Sequence, residues 1–227
     1  MDTKNTKLDE YWTTLAEAIP DFPAEQQRVA ITIYRELAKG KPVSAEQLAA
    51  ALNVSSETAQ AMISQEPISG FVHSDEQGRI DGFAGLAAAP MHHEFRVKDQ
   101  QLWTWCAWDG LFIPKVLGET AELRSKDPET GEVVRVTVQP SGIAAIEPHG
   151  AVVSFLLPEA DDFARSATNV MANFCHHVFF FASRESGERW ASAHPGTLLY
   201  SAEEAFELGR KLIEKQFGQA LSASVGA

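Results

Sequence analysis

The sequence predicts an α+β fold, in which a winged-helix-like helical module at residues 1–85 is followed by a mixed α/β core with antiparallel strands at residues 86–227. Segments with apolar residues at helical spacing and serine caps concentrate in the first third of the chain. Segments typical of strands, several of them bounded by turns, follow after residue 90. Strands and helices are mixed there without a βαβ repeat, which favours the α+β class.

The N-terminal module is predicted from four helices and a hairpin. Ser44 and Gln47 have the spacing of a capping box, and Ser55 or Ser56 caps the helix that follows. Two short helices separated by residues 53–54 indicate a helix-turn-helix, and the hairpin would form its wing. The predicted elements are helices at residues 8–19, 23–39, 44–53 and 55–65, strands around a turn at residues 76–78, and a small, apolar junction at residues 82–90.

A winged helix suggests a DNA-binding regulator, and the charge of this region argues against that function. Residues 41–90 contain two basic and six acidic side chains, a net charge of −4. The second helix of the pair, which would enter the groove, has no Lys or Arg. Because phosphate contacts supply most non-specific affinity for DNA, we favour a module that packs against the rest of the chain.

The composition of the whole chain sets similar limits. The net charge is −12 with a pI near 5.0, which argues against partners such as nucleic acid or an anionic membrane. The N-terminus has no apolar signal-like segment, and no apolar run approaches the length of a membrane span. We therefore expect a cytoplasmic protein, whose two cysteines are thiols in a reducing compartment.

The second part of the chain is predicted to be mainly antiparallel. A turn at residues 127–131 separates two alternating segments, which is typical of a hairpin. Ser201 and Glu204 form a further capping box that opens the last helix. The predicted elements are strands at residues 95–97, 120–125, 133–138, 151–157 and 177–182, a helix or loop at 161–173, a short helix around Trp190 and a helix from 201 to about 219.

The apolar segment from Gln101 to Pro114 holds a cysteine and an aspartate, Cys106 and Asp109, three residues apart. In a helix this spacing places thiol and carboxylate on one face. A buried carboxylate is costly without a partner, so Asp109 could orient or exchange a proton with the thiol. Two alternatives stay open: free cysteine often packs as a small apolar residue, and Asp109 could be a turn carboxylate bonded to backbone, since Gly110 follows.

The second cysteine, Cys175, lies in another apolar segment and is followed by two histidines. In a strand, Cys175 and His177 would share a face. Thiolates select soft metal ions, but two cysteines and one aspartate are too few for a structural zinc site. The alternative is a core cysteine beside a histidine bonded to a backbone carbonyl. The remaining histidines with suggestive positions are interpreted as structural or surface residues: His92, His93 and His149.

Together the two segments resemble organomercurial lyase (alkylmercury lyase). The segments that carry the resemblance are W-C-A-W-D-G-L-F-I-P at residues 105–114 and F-C-H-H-V-F-F-F-A-S at 174–183, supported by R-E-L-A-K-G-K-P-V-S at 35–44, I-E-P-H-G-A-V-V-S-F-L-L-P at 146–158 and R-W-A-S-A-H-P-G at 189–196. The likeness thus covers most of the chain. One departure is a hairpin-turn cysteine of some family members, in whose place this chain has Lys126, Asp127 and Pro128.

The resemblance implies a catalytic core that cleaves the carbon–mercury bond of R–Hg⁺ by protonolysis, giving a hydrocarbon and Hg²⁺. It assigns the attack on mercury to Cys106, the released proton to Asp109 and the second thiolate to Cys175. Product Hg²⁺ would stay on Cys106 and Cys175, with Asp109 as a further possible ligand. Either Asp109 or a cysteine could return the proton to carbon. The implied substrate pocket, whose aromatic residues could equally be core, consists of Trp103, Trp105, Trp108 and Phe174.

The same resemblance implies no organic cofactor and no resident metal, because mercury is substrate and product. Low-molecular-weight thiols would be required for turnover, and mercuric reductase would receive the Hg²⁺. A second hypothesis from another functional class remains. The same cysteines, with or without His177, would serve a soft-metal carrier or sensor for Hg or Cu that breaks no bond.

Overall fold

The structure, a computed structural model, describes residues 3–163 and 166–224. Helices and antiparallel strands both contribute substantially to this part of the chain. The helices are α1 (Thr3–Ala18), α2 (Ala24–Leu37), α3 (Ala45–Leu52), α4 (Ser56–Ile63), α5 (Asp109–Leu117), α6 (Ala167–Asn173), α7 (Arg184–Ala193) and α8 (Ala202–Ser224), with short 3₁₀ helices at Ile68–Phe71, Ala160–Phe163 and Cys175–His177. The strands are β1 (Val72–Ser74), β2 (Ile80–Phe83), β3 (Leu86–Ala87), β4 (His93–Val97), β5 (Gln100–Thr104), β6 (Ala121–Lys126), β7 (Val133–Gln139), β8 (Gly142–Glu147), β9 (Val152–Phe155), β10 (Phe180–Phe181) and β11 (Leu198–Ser201).

The strands form two sheets, and the named strands pair antiparallel throughout. The larger sheet has the order β1-β2-β3-β5-β4-β6-β7-β8, and the smaller has the order β10-β9-β11. The predicted α+β class is therefore confirmed. The sequence prediction missed β8, which is an edge strand whose side chains are mostly exposed or half-buried. Such a strand carries no strong apolar alternation to predict it.

The helix starts in the N-terminal region agree with the cap residues in the sequence. Ser44 and Gln47 form the predicted capping box, with the Ser44 N–H donating to Gln47 Oε1 at 2.8 Å and the Gln47 N–H donating to Ser44 Oγ at 3.2 Å. Ser55 caps α4 through the Thr58 N–H at 3.1 Å. The reciprocal bonds satisfy amides that would otherwise lack partners at the helix start.

The hairpin predicted around residues 76–78 is present as β1 and β2, and it belongs to the large sheet. β2 pairs with β3, and β3 pairs with β5, so the hairpin continues into the main sheet. The expected domain boundary between residues 85 and 86 falls in the turn that joins β2 to β3. One cluster of buried apolar side chains includes residues from both sides of it, among them Ile33 and Phe95. The division into two domains and the winged-helix likeness stay predictions.

The centre of the fold is α5, which packs against α8 and α2 and buries almost every residue of its sequence. Gly110 lets α5 lie close to the large sheet, because a Cβ there would lie 1.9 Å from Cδ2 of Leu123 on β6. Among the described residues, none of the helices combines the length and the apolar character that crossing a bilayer requires.

The predicted strand at residues 177–182 is shorter than expected. Cys175–His177 form a 3₁₀ helix, and β10 includes only Phe180–Phe181. The reason lies in Ser154 on β9, whose hydroxyl donates to the His177 carbonyl and accepts the Phe179 N–H. A side chain thus takes hydrogen-bonding groups that a longer strand would give to a neighbour.

Asp127 joins the β6–β7 hairpin to the smaller sheet and α7. Its carboxylate is 1% exposed and accepts four hydrogen bonds. Two come from amides of its own turn, Glu129 and Thr130, and two come from the Ala182 N–H at 2.9 Å and the Ser186 hydroxyl at 2.6 Å. Although burial alone would raise the pKa of Asp127, these bonds hold that pKa below its ordinary value.

Replacing Asp127 with alanine is expected to lower the free energy of unfolding by about 2–4 kcal/mol, because it leaves buried donors without an acceptor. Urea unfolding at pH 7 measures this loss. Asp75→Ala is the matched control, since Asp75 accepts turn amides in the same way but in a more exposed hairpin. Equal losses for both variants would show that the contacts to Ala182 and Ser186 do not stabilise the fold.

Candidate functional site

Cys106 and Asp109 meet at the junction between β5 and α5. Cys106 lies in the turn before the helix, so the two residues do not share one continuous helix, the condition under which their spacing was interpreted. The three-residue spacing still brings them together, because Asp109 in the first turn of α5 reaches back. Its Oδ2 accepts the Cys106 N–H at 2.7 Å. The Thr104 hydroxyl fixes the turn by donating to the Cys106 carbonyl at 2.8 Å.

Cys175 reaches the same place from the 3₁₀ helix that follows α6. The backbone connects the two segments directly, since the Ala107 N–H donates to the Val178 carbonyl at 3.1 Å. The two sulfurs and an Asp109 carboxylate oxygen all lie within 4.8 Å of one another. Within residues 3–163 and 166–224 this is the one cluster of three such groups able to hold a metal ion. The three residues predicted from the sequence therefore lie together in one buried cluster.

The three residues are buried, and the pKa of each is raised above its ordinary value. The exposed fractions of Cys106, Asp109 and Cys175 are 0%, 6% and 3%. Burial raises the pKa of Asp109 to about 7. Burial, and then the hydrogen bond to Cys175, raise the pKa of Cys106 well above its ordinary value. For Cys175 the hydrogen bond from Cys106 lowers the pKa, but burial and the Asp109 charge together outweigh it and raise the pKa.

This arrangement has a definite chemical capacity. The two thiols offer soft ligands at one point, and mercury and copper(I) are ions that thiolates select. Each thiol must lose its proton to bind such an ion. Asp109 is the adjacent group whose pKa lies near neutrality, so it is suited both to take a proton and to give one back. Asp109 is thus bonded to backbone, as one alternative held, and is also placed beside the thiols.

The raised pKa of Asp109 predicts a pH dependence of stability. Because the folded protein holds this proton more tightly than the unfolded chain, the stabilisation is complete below pH 3.8 and is lost as the pH rises through about 7. The full effect is on the order of 4 kcal/mol. Urea unfolding at pH 5 and pH 8 measures this effect. The free energy of unfolding of wild type, relative to that of Asp109→Asn, should be smaller at pH 8 than at pH 5. A difference that is constant with pH would contradict the raised pKa.

His93 also makes stability depend on pH, so the effect of Asp109 has to be measured as a difference between wild type and a variant. It is buried on β4 against the Ser125 hydroxyl at 2.8 Å, and burial lowers its pKa to about 3. The unfolded chain therefore binds the extra proton, and His93 makes stability rise with pH between about 3 and 6.5, opposite to Asp109. Both proteins contain His93, so its contribution to the free energy of unfolding cancels in the difference between wild type and Asp109→Asn. The structural role expected for this histidine agrees with its burial.

A largely aromatic pocket adjoins the cluster. Its lining includes Asp109 and Cys175, together with the predicted Trp105, Trp108 and Phe174. Trp103, the fourth predicted pocket residue, lies elsewhere. It is half-buried on β5, where its neighbours Leu102 and Thr104 are fully buried, and side chains alternate between the faces of a strand. His176 is exposed, and His177 is not part of the cluster.

Several pocket residues could not be found from the sequence. They come from separate elements that only the fold brings together: Phe22, Tyr34, Phe71, Phe112, Phe163 and Gln216. Three of them precede residue 85, so the N-terminal region forms part of the pocket wall. Apolar spacing does not separate them from the core, because burial in a core and burial around a pocket have the same sequence pattern.

Two buried thiols beside a carboxylic acid and an aromatic pocket define a class of protein that binds a soft cation and can move a proton next to it. The comparisons with known proteins specify the class. The sequence model of the alkylmercury lyase family, MerB, matches residues 86–214, more than half of the chain. This protein therefore belongs to the alkylmercury lyase family, which is a family of enzymes.

Relatives over most of the chain agree with this assignment. An alkylmercury lyase of Pseudomonas putida is 37% identical over 207 residues, which is 90% of this chain and 93% of the relative. One from Streptomyces lividans is 39% identical over 178 residues, 78% of each chain. The crystal structure of the mercury-bound form of MerB2 superposes with a TM-score of 0.70 at 21% identity, covering 91% of this chain and 97% of that one. That likeness supports the fold.

Proposed function

We propose that this enzyme cleaves the carbon–mercury bond of organomercurials by protonolysis at Cys106, Cys175 and Asp109. The observation that carries the proposal is the convergence of two thiols and one carboxylic acid within 4.8 Å in a buried site. Two thiolates on one mercury atom increase the electron density on the bound carbon and make it basic enough to accept a proton.

The steps follow from the positions of the three groups. The Cys106 thiol attacks R–Hg–SR′ and displaces R′SH, and Cys175 adds its sulfur to the same mercury. One of the two thiol protons leaves with R′SH, and the other passes through Asp109. That proton reaches the carbon as the carbon–mercury bond breaks, so the products are R–H, R′SH and Hg²⁺ held by both sulfurs. Asp109 is suited to this transfer because its pKa lies near 7.

The aromatic pocket supports the proposal in a second way. Trp105, Trp108 and Phe174 offer an apolar surface beside the thiols, which suits the alkyl or aryl group of the substrate. An apolar wall also excludes water, and this strengthens the electrostatic interactions at the reacting carbon. We infer that these residues bind the organic group.

Release of the product is proposed to depend on external thiols. Both cysteines of the chain belong to the site, so no further cysteine is present to receive Hg²⁺. Two molecules of a low-molecular-weight thiol can take the ion as Hg(SR′)₂ and return the protons to Cys106 and Cys175. We propose mercuric reductase as the eventual acceptor and a reducing, cytoplasmic compartment as the place of action. No organic cofactor is required by these steps.

Counting turnovers tests the proposed function. The purified, reduced protein is mixed with phenylmercuric or methylmercuric salt, with and without excess thiol, and benzene or methane is measured by gas chromatography. We expect many equivalents of hydrocarbon per protein with thiol and about one without it. Mercury retained with its organic group at one equivalent per protein, and no hydrocarbon, would instead identify a carrier or sensor.

A further inference from the structure

The turn between β2 and β3 has an unusual backbone. It is a two-residue hairpin turn, closed by the pair Phe83 and Leu86, and both of its residues have positive φ: 40° at Ala84 and 99° at Gly85. Turns of this kind favour Asn-Gly, because L-residues with a Cβ are strained in the left-handed region. Strain of this sort persists where the surrounding structure holds it, and it concentrates at functional sites.

Gly85 lies directly against the Asp109 carboxyl group. A Cβ on Gly85 would lie 2.5 Å from both Cγ and Oδ1 of Asp109 and 2.8 Å from its Cβ. The other carboxylate oxygen, Oδ2, accepts the Cys106 N–H at 2.7 Å. The carboxyl group is therefore confined between the backbone of the turn and the amide of the cysteine, and only glycine leaves room for it.

The turn is itself fixed from three directions. Tyr34 of α2 is 1% exposed, and its hydroxyl donates to the Ala84 carbonyl at 2.6 Å. The Gly85 carbonyl accepts the Trp105 N–H at 2.8 Å, one residue before Cys106. The Ala84 N–H donates to the Phe71 backbone carbonyl at 3.1 Å. A side chain of the N-terminal helices thus holds the turn that contacts Asp109.

We propose that Gly85 and Tyr34 are positioning residues for the reaction: the Ala84–Gly85 turn, locked by the Tyr34 hydroxyl, holds the Asp109 carboxylate against the Cys106 N–H and beside the two thiols. The inference rests on the proposed function. It gives the N-terminal helices a role in placing the proton-transfer group, in addition to lining the pocket.

Four variants test this proposal, two at the turn and two matched controls. Gly85→Ala introduces a Cβ against Asp109. Gly78→Ala is its control, because Gly78 also has positive φ, 74°, but a Cβ there meets nothing within 4 Å. Tyr34→Phe removes the hydroxyl bond to Ala84. Tyr11→Phe is its control, because the buried Tyr11 hydroxyl also donates to a backbone carbonyl, that of Leu156 at 2.8 Å.

The first readout separates kcat from KM for hydrocarbon release in excess thiol. Gly85→Ala is expected to lower kcat about 100-fold, the loss typical of a reacting group displaced by about 1 Å. Tyr34→Phe should lower kcat on the order of tenfold, in line with one lost hydrogen bond. Neither variant should change KM by more than about twofold, a margin well below a tenfold effect. Both should still bind Hg²⁺ stoichiometrically, as wild type does. The two controls should also leave kcat within that margin.

The second readout needs no substrate. In the metal-free protein, the Cys106 amide proton bonded to Asp109 should move upfield in Gly85→Ala and, by less, in Tyr34→Phe, and stay in place in both controls. An unmoved amide in the turn variants, or kcat losses no larger than those of the controls, would overturn the proposal. If Gly85→Ala does not fold, Tyr34→Phe decides by the same two readouts. A wild type that releases no hydrocarbon would refute the proposed function, while the amide shifts would still decide how the turn acts on Asp109.

Discussion

Asp109→Asn is expected to lower hydrocarbon release by about 10²–10⁴-fold, the range typical for loss of a general acid–base group. Asparagine keeps the shape of the side chain and an oxygen for the Cys106 N–H, which Asp109 accepts at 2.7 Å. The variant should therefore fold and bind Hg²⁺ through both thiols. What it lacks is a group with a pKa near 7 that can take and return a proton. Gas chromatography of the hydrocarbon, beside titration of bound Hg²⁺, measures both properties.

A control for this variant is Asp81→Asn. Asp81 is another buried carboxylate, 9% exposed, which is bonded to His73 Nδ1 at 2.6 Å rather than to the thiols. Its replacement should leave hydrocarbon release close to wild type. Turnover by Asp109→Asn at the wild-type rate would refute the proton-transfer role of Asp109. Loss of Hg²⁺ binding together with turnover would show instead that the carboxylate acts mainly as a ligand.

Cys175→Ser is expected to abolish turnover, even in excess thiol. Serine is close in size to cysteine, so the buried site keeps its packing, but its oxygen is a poor ligand for mercury. With one thiolate on mercury, the carbon–mercury bond is not activated for protonation. The enzyme should then retain R–Hg⁺ on Cys106 at one equivalent, which mass spectrometry of the intact protein detects as the added mass of mercury and its organic group.

The neighbouring histidine provides the control for Cys175. His177 lies in the same 3₁₀ helix but outside the cluster of ligand atoms, so His177→Ala should keep most of the activity. Normal turnover by Cys175→Ser would assign the second thiolate to another molecule, such as an external thiol. Loss of activity in His177→Ala comparable with that of Cys175→Ser would show that the site extends beyond the three clustered residues.

The sequence identified the reacting groups because their chemistry is local. The three-residue spacing of Cys106 and Asp109 placed thiol and carboxylate together, although the segment is a turn entering a helix rather than one helix. Cys175 could be added only through the resemblance to a family, since nothing in its spacing indicates a contact 69 residues away in the chain. The fold class followed from helix caps and alternating segments, which local propensity determines.

Other features depend on long-range packing and could not be predicted. The edge strand β8 has too few buried residues to show an apolar pattern. Trp103 was expected in the pocket because it is aromatic and near Cys106, but it lies in a strand, where adjacent side chains point to opposite faces. Gly85 lies against Asp109, and the Tyr34 hydroxyl donates to the Ala84 carbonyl of the same turn. Both contacts join separate elements, and no motif encodes them.

The most direct test of the account is to run the reaction of methylmercuric salt with excess thiol in D₂O and analyse the gas by mass spectrometry. Protonolysis by groups that exchange with solvent predicts methane carrying one deuterium per molecule, formed over many turnovers, with Hg²⁺ passing to the thiol. Methane without deuterium would contradict proton delivery from Asp109 or a cysteine. The absence of methane, with methylmercury bound at one equivalent per protein, would contradict the lyase reaction itself.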